Sequence, residues 1–360
     1  MKVKKLNEKS FFTILYVLLG IILLIPLFSK DLTLIEKGVM FFSQYVSFFA
    51  SILFFKELFK DEDEYKTFFG VLLIAVSPYR FFICFSEKEK LTALAVSLIP
   101  LYAFFVLKAI KNVKIKIVFC ILAGITLALI GMLNFPILTV LIFVSITLVF
   151  VYKAPLVLLT IALGFGLSIP FTLDTLKYLL FGGFDELNYS CASIMPYGYR
   201  FGSYFNTFMN IDSNPGFGIG LIVCLLAGVW NTISDSKKVR SKTDYYMFIM
   251  GILFMLTASK KFPWEYVQRI ASPLLRYVGI WRTPTFFAGL AGFFLSVIGA
   301  KAIGSLGHRN EHNANAEDGK EKKNPSSNDN NDNAAFDVYE LVKNVVIFIC
   351  MGIYILQSCL

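Results

Sequence analysis

The chain has 360 residues, of which 56% are hydrophobic and only 16% charged, and its mean hydropathy is +0.66. Soluble domains carry about one-quarter charged residues, so the composition excludes a large water-soluble body and places most of the chain in lipid. The formal charge of +9 does not indicate a nucleic-acid partner, because the lysines sit in short connections between apolar runs and not on one basic face.

A span needs about 20 mostly apolar residues to cross the hydrocarbon core. Ten or eleven runs qualify, near residues 11–28, 38–55, 67–85, 91–107, 117–133, 136–152, 155–173, 216–230, 246–258, 284–304 and 338–360. The expected fold is therefore all-α, a polytopic transmembrane helical bundle. Lys2, Lys4, Lys5 and Lys9 precede the first run and no small-residue cleavage site follows it, so the run is expected to stay as an anchor.

Lysine and arginine concentrate in cytoplasmic loops, which sets the N-terminus inside and the chain as a multi-pass protein of the cell membrane. Counting spans from there, the loops holding Lys108, Lys111, Lys114 and Lys116, then Lys153, then Lys237, Lys238, Arg240 and Lys242 all fall on the cytoplasmic side. Two longer connections, 174–215 and 259–283, face outward and hold most of the polar chemistry. Residues 1–306 form the multi-span domain. Residues 307–336, with EDGKEKKN and NDNNDNAA, have the composition of a disordered cytoplasmic loop, and 337–360 form the final helix.

No P-loop, GxGxxG or HExxH is present, and the six cysteines lack metal-ligand spacing. Both histidines, His308 and His312, lie in the polar stretch, so no metal site is assigned. Cys84 and Cys191 both fall outward, and two unrelated thiols are the simpler reading of them. Trp264, Tyr266 and Trp281 fall at outer span ends, where aromatic rings favour the headgroup layer.

The arginines run against the lysine bias. Arg80, Arg200, Arg269, Arg276 and Arg282 fall outside, and only Arg240 and Arg309 inside. A guanidinium meets two phosphate oxygens at once, so an outward cluster suits an anionic ligand at the outer leaflet. Each arginine taken singly is better read as reaching lipid headgroups or pairing with an acid such as Glu87, Glu89, Asp185, Asp212 or Glu265. Two stand in short segments bounded by proline and aromatics, Ser77-Pro78-Tyr79-Arg80 and Trp281-Arg282-Thr283-Pro284, where proline restricts the direction of the backbone.

Three patches carry a family resemblance. SPYRFFICFSEKEKLTALAVSLIPLYAFFVL at 77–107, YGYRFGSYFNTF with NPGFGIGLIVCLLAGV between 197 and 229, and FPWEYVQR with LLRYVGIWRTPTFFAGLAG between 262 and 292 are similar to YfhO-like bacterial membrane proteins. That family is related to the GT-C superfamily of polytopic glycosyltransferases. WRTPTF stands here where the family has a PWRF order.

The resemblance implies a GT-C-like fold and transfer of a sugar from a polyprenyl-phosphate donor to an acceptor at the outer face. The acceptor would be a cell-wall polymer, a teichoic acid or a glycolipid. Arg80, Arg269 and Arg282, with Tyr79 and Trp281, would hold the donor phosphate, and Arg200 and Glu265 are further outer-loop candidates. An acid of the first outer loop would serve as base or hold a divalent metal, and Asp31 and Glu36 are the acids there. That loop, residues 29–37, is much shorter than the family's, and carboxylates beside a helix start also serve as caps. A polysaccharide polymerase or flippase, or a truncated non-catalytic relative, are the competing expectations.

Overall fold

The computed structural model describes residues 8–24, 27, 33–59, 64–77, 90–111, 115–181, 222, 242–259 and 287–302. Of these residues 92% are helical, and no strand occurs among them. The helices are α1 (Glu8–Ile22), α2 (Leu34–Phe59), α3 (Glu64–Ala75), α4 (Lys90–Ser97), α5 (Ile99–Lys111), α6 (Lys116–Leu133), α7 (Phe135–Tyr152), α8 (Val157–Phe181), α9 (Lys242–Ala258) and α10 (Phe287–Ala302).

Four segments are long and apolar enough to cross a membrane: α2, α4 with α5 taken together, α6 and α7. The described parts of α1, α8 and α10 are shorter apolar helices. The outer surface of the bundle is apolar as well. Phe150 is 77% exposed and Phe171 70%, and α1 exposes Ile14, Val17, Leu18 and Ile21. Such a surface is unfavourable in water and is matched to hydrocarbon.

Local sequence sets the element boundaries. Pro100 has no N–H to give the carbonyl of Val96, so the predicted span at 91–107 is broken at Leu98 into α4 and α5. A single extended residue, Asn134, joins α6 to α7. Its N–H closes on the Ile130 carbonyl at 2.8 Å, its side chain accepts the Ile137 N–H at 3.2 Å, and Pro136 sits in the first turn where no N–H is required. The outer connection expected from residue 174 starts later, because α8 continues through the helix-forming DTLKYLLF to Phe181 and meets Gly182-Gly183 only after it.

Contacts fix the direction of each helix. Cys120, Gly124, Leu127 and Gly131 of α6 meet Thr160, Leu163, Gly164 and Ser168 of α8 in ascending order, so the two helices run parallel. Ser43 of α2 donates to the Ala93 carbonyl of α4 at 3.1 Å, and Glu57 pairs with Lys108 of α5 at 2.5 Å, so α2 is parallel to α4 and α5. Phe254 stacks on Phe287 and Asp244 pairs with Lys301, which makes α9 and α10 antiparallel.

One end of the bundle thus collects Glu57, Lys108, Lys111, Tyr152, Asp244 and Lys301. Phe181 and Lys242 lie at opposite ends of the bundle. The spans expected at 216–230 and 338–360 and the loop at 307–336 lie outside the described residues, apart from Ile222.

The tightest seam is α6 against α8. Thr160, Gly164, Ser168 and Thr172 recur every fourth residue on α8, opposite Cys120, Gly124 and Gly131. A methyl on Gly124 would lie 2.7 Å from the Leu163 Cβ, and one on Gly164 2.6 Å from Leu127 Cδ2. In lipid, helix association relies on such close backbone approach, because hydrocarbon outside is as apolar as the side chains within. Gly124→Ala is expected to cost about 1–3 kcal/mol by overpacking. Gly166→Ala, with nothing within 4 Å of the added carbon, is expected to be neutral or slightly stabilising. Unfolding in detergent micelles checks both, and equal losses would refute the tight seam.

Candidate functional site

Two of the sequence patches converge on one cleft. It is lined by Leu73, Ile74 and Ser77 at the end of α3, by Val96, Ile99 and Pro100 at the α4–α5 break, and by Gly289, Gly292, Phe293 and Ser296 on α10. Each wall has a local cause. Ser77 opens the SPYR segment as α3 ends in a turn, its N–H reaching the Ile74 carbonyl at 3.4 Å. Pro100 turns the chain out of regular helix and cannot bond the carbonyl of Val96, itself in the wall. Gly289, Gly292 and Ser296 share one face of α10 and leave room where larger side chains would close the gap.

The cleft is small, with an interior of about 20 Å³. The Ser296 hydroxyl is turned back on the Gly292 carbonyl at 2.6 Å. No strongly polar group of the described residues points into it. Its chemical interest is that Ser77 in its wall is followed in sequence by Tyr79 and Arg80, and that its α10 wall is preceded in sequence by Trp281 and Arg282.

Of the residues predicted for the site, only Glu36 lies among those described. It stands in the first turn of α2, and its Oε2 accepts the Thr33 N–H at 2.8 Å and the Thr33 hydroxyl at 2.8 Å. The Thr33 Oγ1 in turn accepts the Glu36 N–H at 3.3 Å. This reciprocal pair is a capping box: it satisfies donors that the first turn leaves open and holds the carboxylate near the positive end of the helix dipole. The capping alternative weighed for this carboxylate is therefore present. Asp31, Tyr79, Arg80, Arg200, Glu265, Arg269, Trp281 and Arg282 lie outside the described residues, as do Cys84 and Cys191. Among the described residues no cluster of His, Cys, Asp or Glu could hold a metal.

A polar stripe in the interior was not singled out from the sequence. Ser43, Ser47 and Ser51 recur every fourth residue on α2 with Gln44 beside them, and all four are buried. Ser43 is satisfied by Ala93. The Ser47 and Ser51 hydroxyls and both amide atoms of Gln44 have no hydrogen-bond partner among the described residues. The signal was available in SQYVSFFAS, but the same spacing also fits small residues that merely let helices approach.

Comparison with known proteins finds no matching family model, no characterised protein of similar sequence and no solved structure of similar fold.

An amide buried without partners is costly, whereas an apolar side chain of similar volume is not. Gln44→Leu is accordingly expected to raise stability by about 1–3 kcal/mol in detergent. A loss of stability instead would show that the amide has a partner in the folded protein.

Proposed function

We propose that this is a membrane-embedded, GT-C-like glycosyltransferase that uses a polyprenyl-phosphate-linked sugar at the outer face of the cell membrane. The observation that carries the reading is the convergence of the α3 terminus and the α10 start on one cleft. In sequence, Tyr79 and Arg80 follow Ser77 directly, and Trp281 and Arg282 precede Phe287 by a few residues.

In this reading the guanidinium groups of Arg80, Arg282 and Arg269 bind the donor phosphate. They stabilise the charge that grows on it as the bond to the anomeric carbon breaks. An acceptor hydroxyl attacks that carbon, a carboxylate takes its proton, and polyprenyl phosphate leaves with the electron pair. Asp31 is the first candidate for the base, since Glu36 is engaged in the cap of α2. The alternative role for the first-loop acid is to hold a divalent metal in place of acting as base, and Arg200 and Glu265 are further outer-loop candidates.

The lysine-bearing end of the bundle is cytoplasmic in this proposal, with the N-terminus inside. In a cysteine-free background, Lys153→Cys is expected to react with a membrane-impermeant maleimide only after permeabilisation. Labelling in intact cells would invert the topology and move the cleft to the cytoplasmic side.

Purified protein supplied with polyprenyl-phosphate sugars and envelope acceptors tests the chemistry. Arg80→Ala and Arg282→Ala are each expected to lower transfer at least about 100-fold, the scale of losing one transition-state charge partner. Absence of transfer, with donor binding unchanged in both variants, would refute the proposal and leave a non-catalytic relative.

The second reading, a polysaccharide flippase or polymerase, is favoured by the buried stripe of Gln44, Ser47 and Ser51. Membrane-deep polar groups mark substrate paths. Loss of glycan-lipid translocation in Gln44→Leu, with stability unharmed, would select it.

A further inference from the structure

A second hollow lies in the half of the bundle nearer the lysines. It runs between α5, α7, α9 and α10, with Phe54 of α2 in its wall, from Ile99 and Leu290 at its inner limit to Tyr152 and Thr243 at the bundle end. From Ile99 to Ile110, or from Leu141 to Tyr152, is eleven residues, a length of about 16 Å at the rise of an α-helix. One leaflet contributes about half of the roughly 30 Å hydrocarbon core. The groove is therefore as deep as the acyl layer of a single leaflet.

Its wall asks for hydrocarbon. Three tyrosines line it, and each hydroxyl is already engaged: Tyr102 with Ser145, Tyr246 with Thr147 at 2.9 Å, and Tyr152 with Thr243 at 2.8 Å. The remaining lining is aliphatic or phenylalanine, save Thr243 itself. The groove has a cavity volume of about 60 Å³. Ala103, Leu107, Leu148 and Met247 are half-buried, so the trough reaches the surface along its length.

Its mouth is cationic. Lys153 follows Tyr152 and Lys242 precedes Thr243, and the 2.8 Å bond between Tyr152 and Thr243 brings these neighbours to one place. Both lysines are exposed, and neither makes an ion pair with a described residue. Lys108 and Lys301, by contrast, are paired with Glu57 and Asp244. Lys153 also holds a left-handed backbone, φ 51°, at the end of α7.

We infer that the trough between α5, α7, α9 and α10 binds one anionic phospholipid, its acyl chain along Ala103 and Leu148 and its phosphate between Lys153 and Lys242. The leaflet is the one that meets the lysine-bearing end, and the site is separate from the cleft below Ser77. It stands whether or not the protein transfers sugar.

The test is native mass spectrometry of the full chain released from detergent containing equal phosphatidylglycerol and phosphatidylcholine. Wild type is expected to retain one phosphatidylglycerol at least tenfold over phosphatidylcholine. The double variant Lys153→Gln, Lys242→Gln should lose that preference, and Ala103→Phe, which fills the trough, should lose retained lipid of both kinds. Equal retention by wild type and the double variant, or an unchanged lipid count in Ala103→Phe, would overturn the assignment. Should Ala103→Phe fail to fold, wild type photolabelled with a diazirine-tailed phosphatidylglycerol decides. Crosslinks on α5 and α7 near Ala103 and Leu148 support the site, and crosslinks confined elsewhere refute it.

Discussion

The close contact of α6 with α8 is the constraint on which the rest of the bundle depends. Helices in hydrocarbon gain nothing from hiding apolar side chains, so they must gain contact density or polar bonds that lipid cannot offer. Gly124, Gly131 and Gly164 provide the first by letting the backbones approach, and the Thr160 hydroxyl adds a bond across the seam to the Cys120 carbonyl at 3.2 Å. With α6 parallel to α8, α7 between them in sequence must be antiparallel to both. Asn134 makes that reversal in one residue and ties it to α4 through Thr92 at 2.8 Å.

Around this seam the other helices are held by two kinds of glue. Near α1, α2 and α3 it is aromatic: the Phe12 and Tyr65 rings meet edge to face at 4.7 Å, and Phe55 lies directly over Gly70. Such pairs contribute about 0.5–1.5 kcal/mol each beyond the area they cover. Near α5, α7 and α9 it is the tyrosine hydroxyls, which pair with Ser145, Thr147 and Thr243 on neighbouring helices. Interhelical bonds of this kind are worth about 0.6 kcal/mol on average, so their main effect is register. Paired hydroxyls also leave an apolar wall, so one arrangement both sets the register and shapes the trough.

The two hollows share Ile99 and Phe293 and differ in chemistry. The cleft near Ser77 is bounded by a proline break and small residues. The trough is bounded by continuous helix and hydrocarbon. Ile99 and Phe293 stand in the wall of both and lie between them.

Much of this could be read from the chain itself. Apolar runs of span length, proline at residue 136 and lysine placement determined that the described segments are helices and where most of them start, since each signal acts within a turn or two. The Thr33-x-x-Glu36 spacing likewise carries its cap, although the same acid could be taken for a catalytic group until its partner was seen. The fourfold spacing of Thr160, Gly164, Ser168 and Thr172 was visible too, but not that α6 faces it in parallel. Nor could sequence show that residues about 200 apart, Ser77 and Gly289, border one cleft, or that Lys153 and Lys242 flank one mouth. Periodicity states which side of a helix is buried and not against what. The partner is chosen by contact density and hydroxyl pairing between distant segments, and only the tertiary structure decides that.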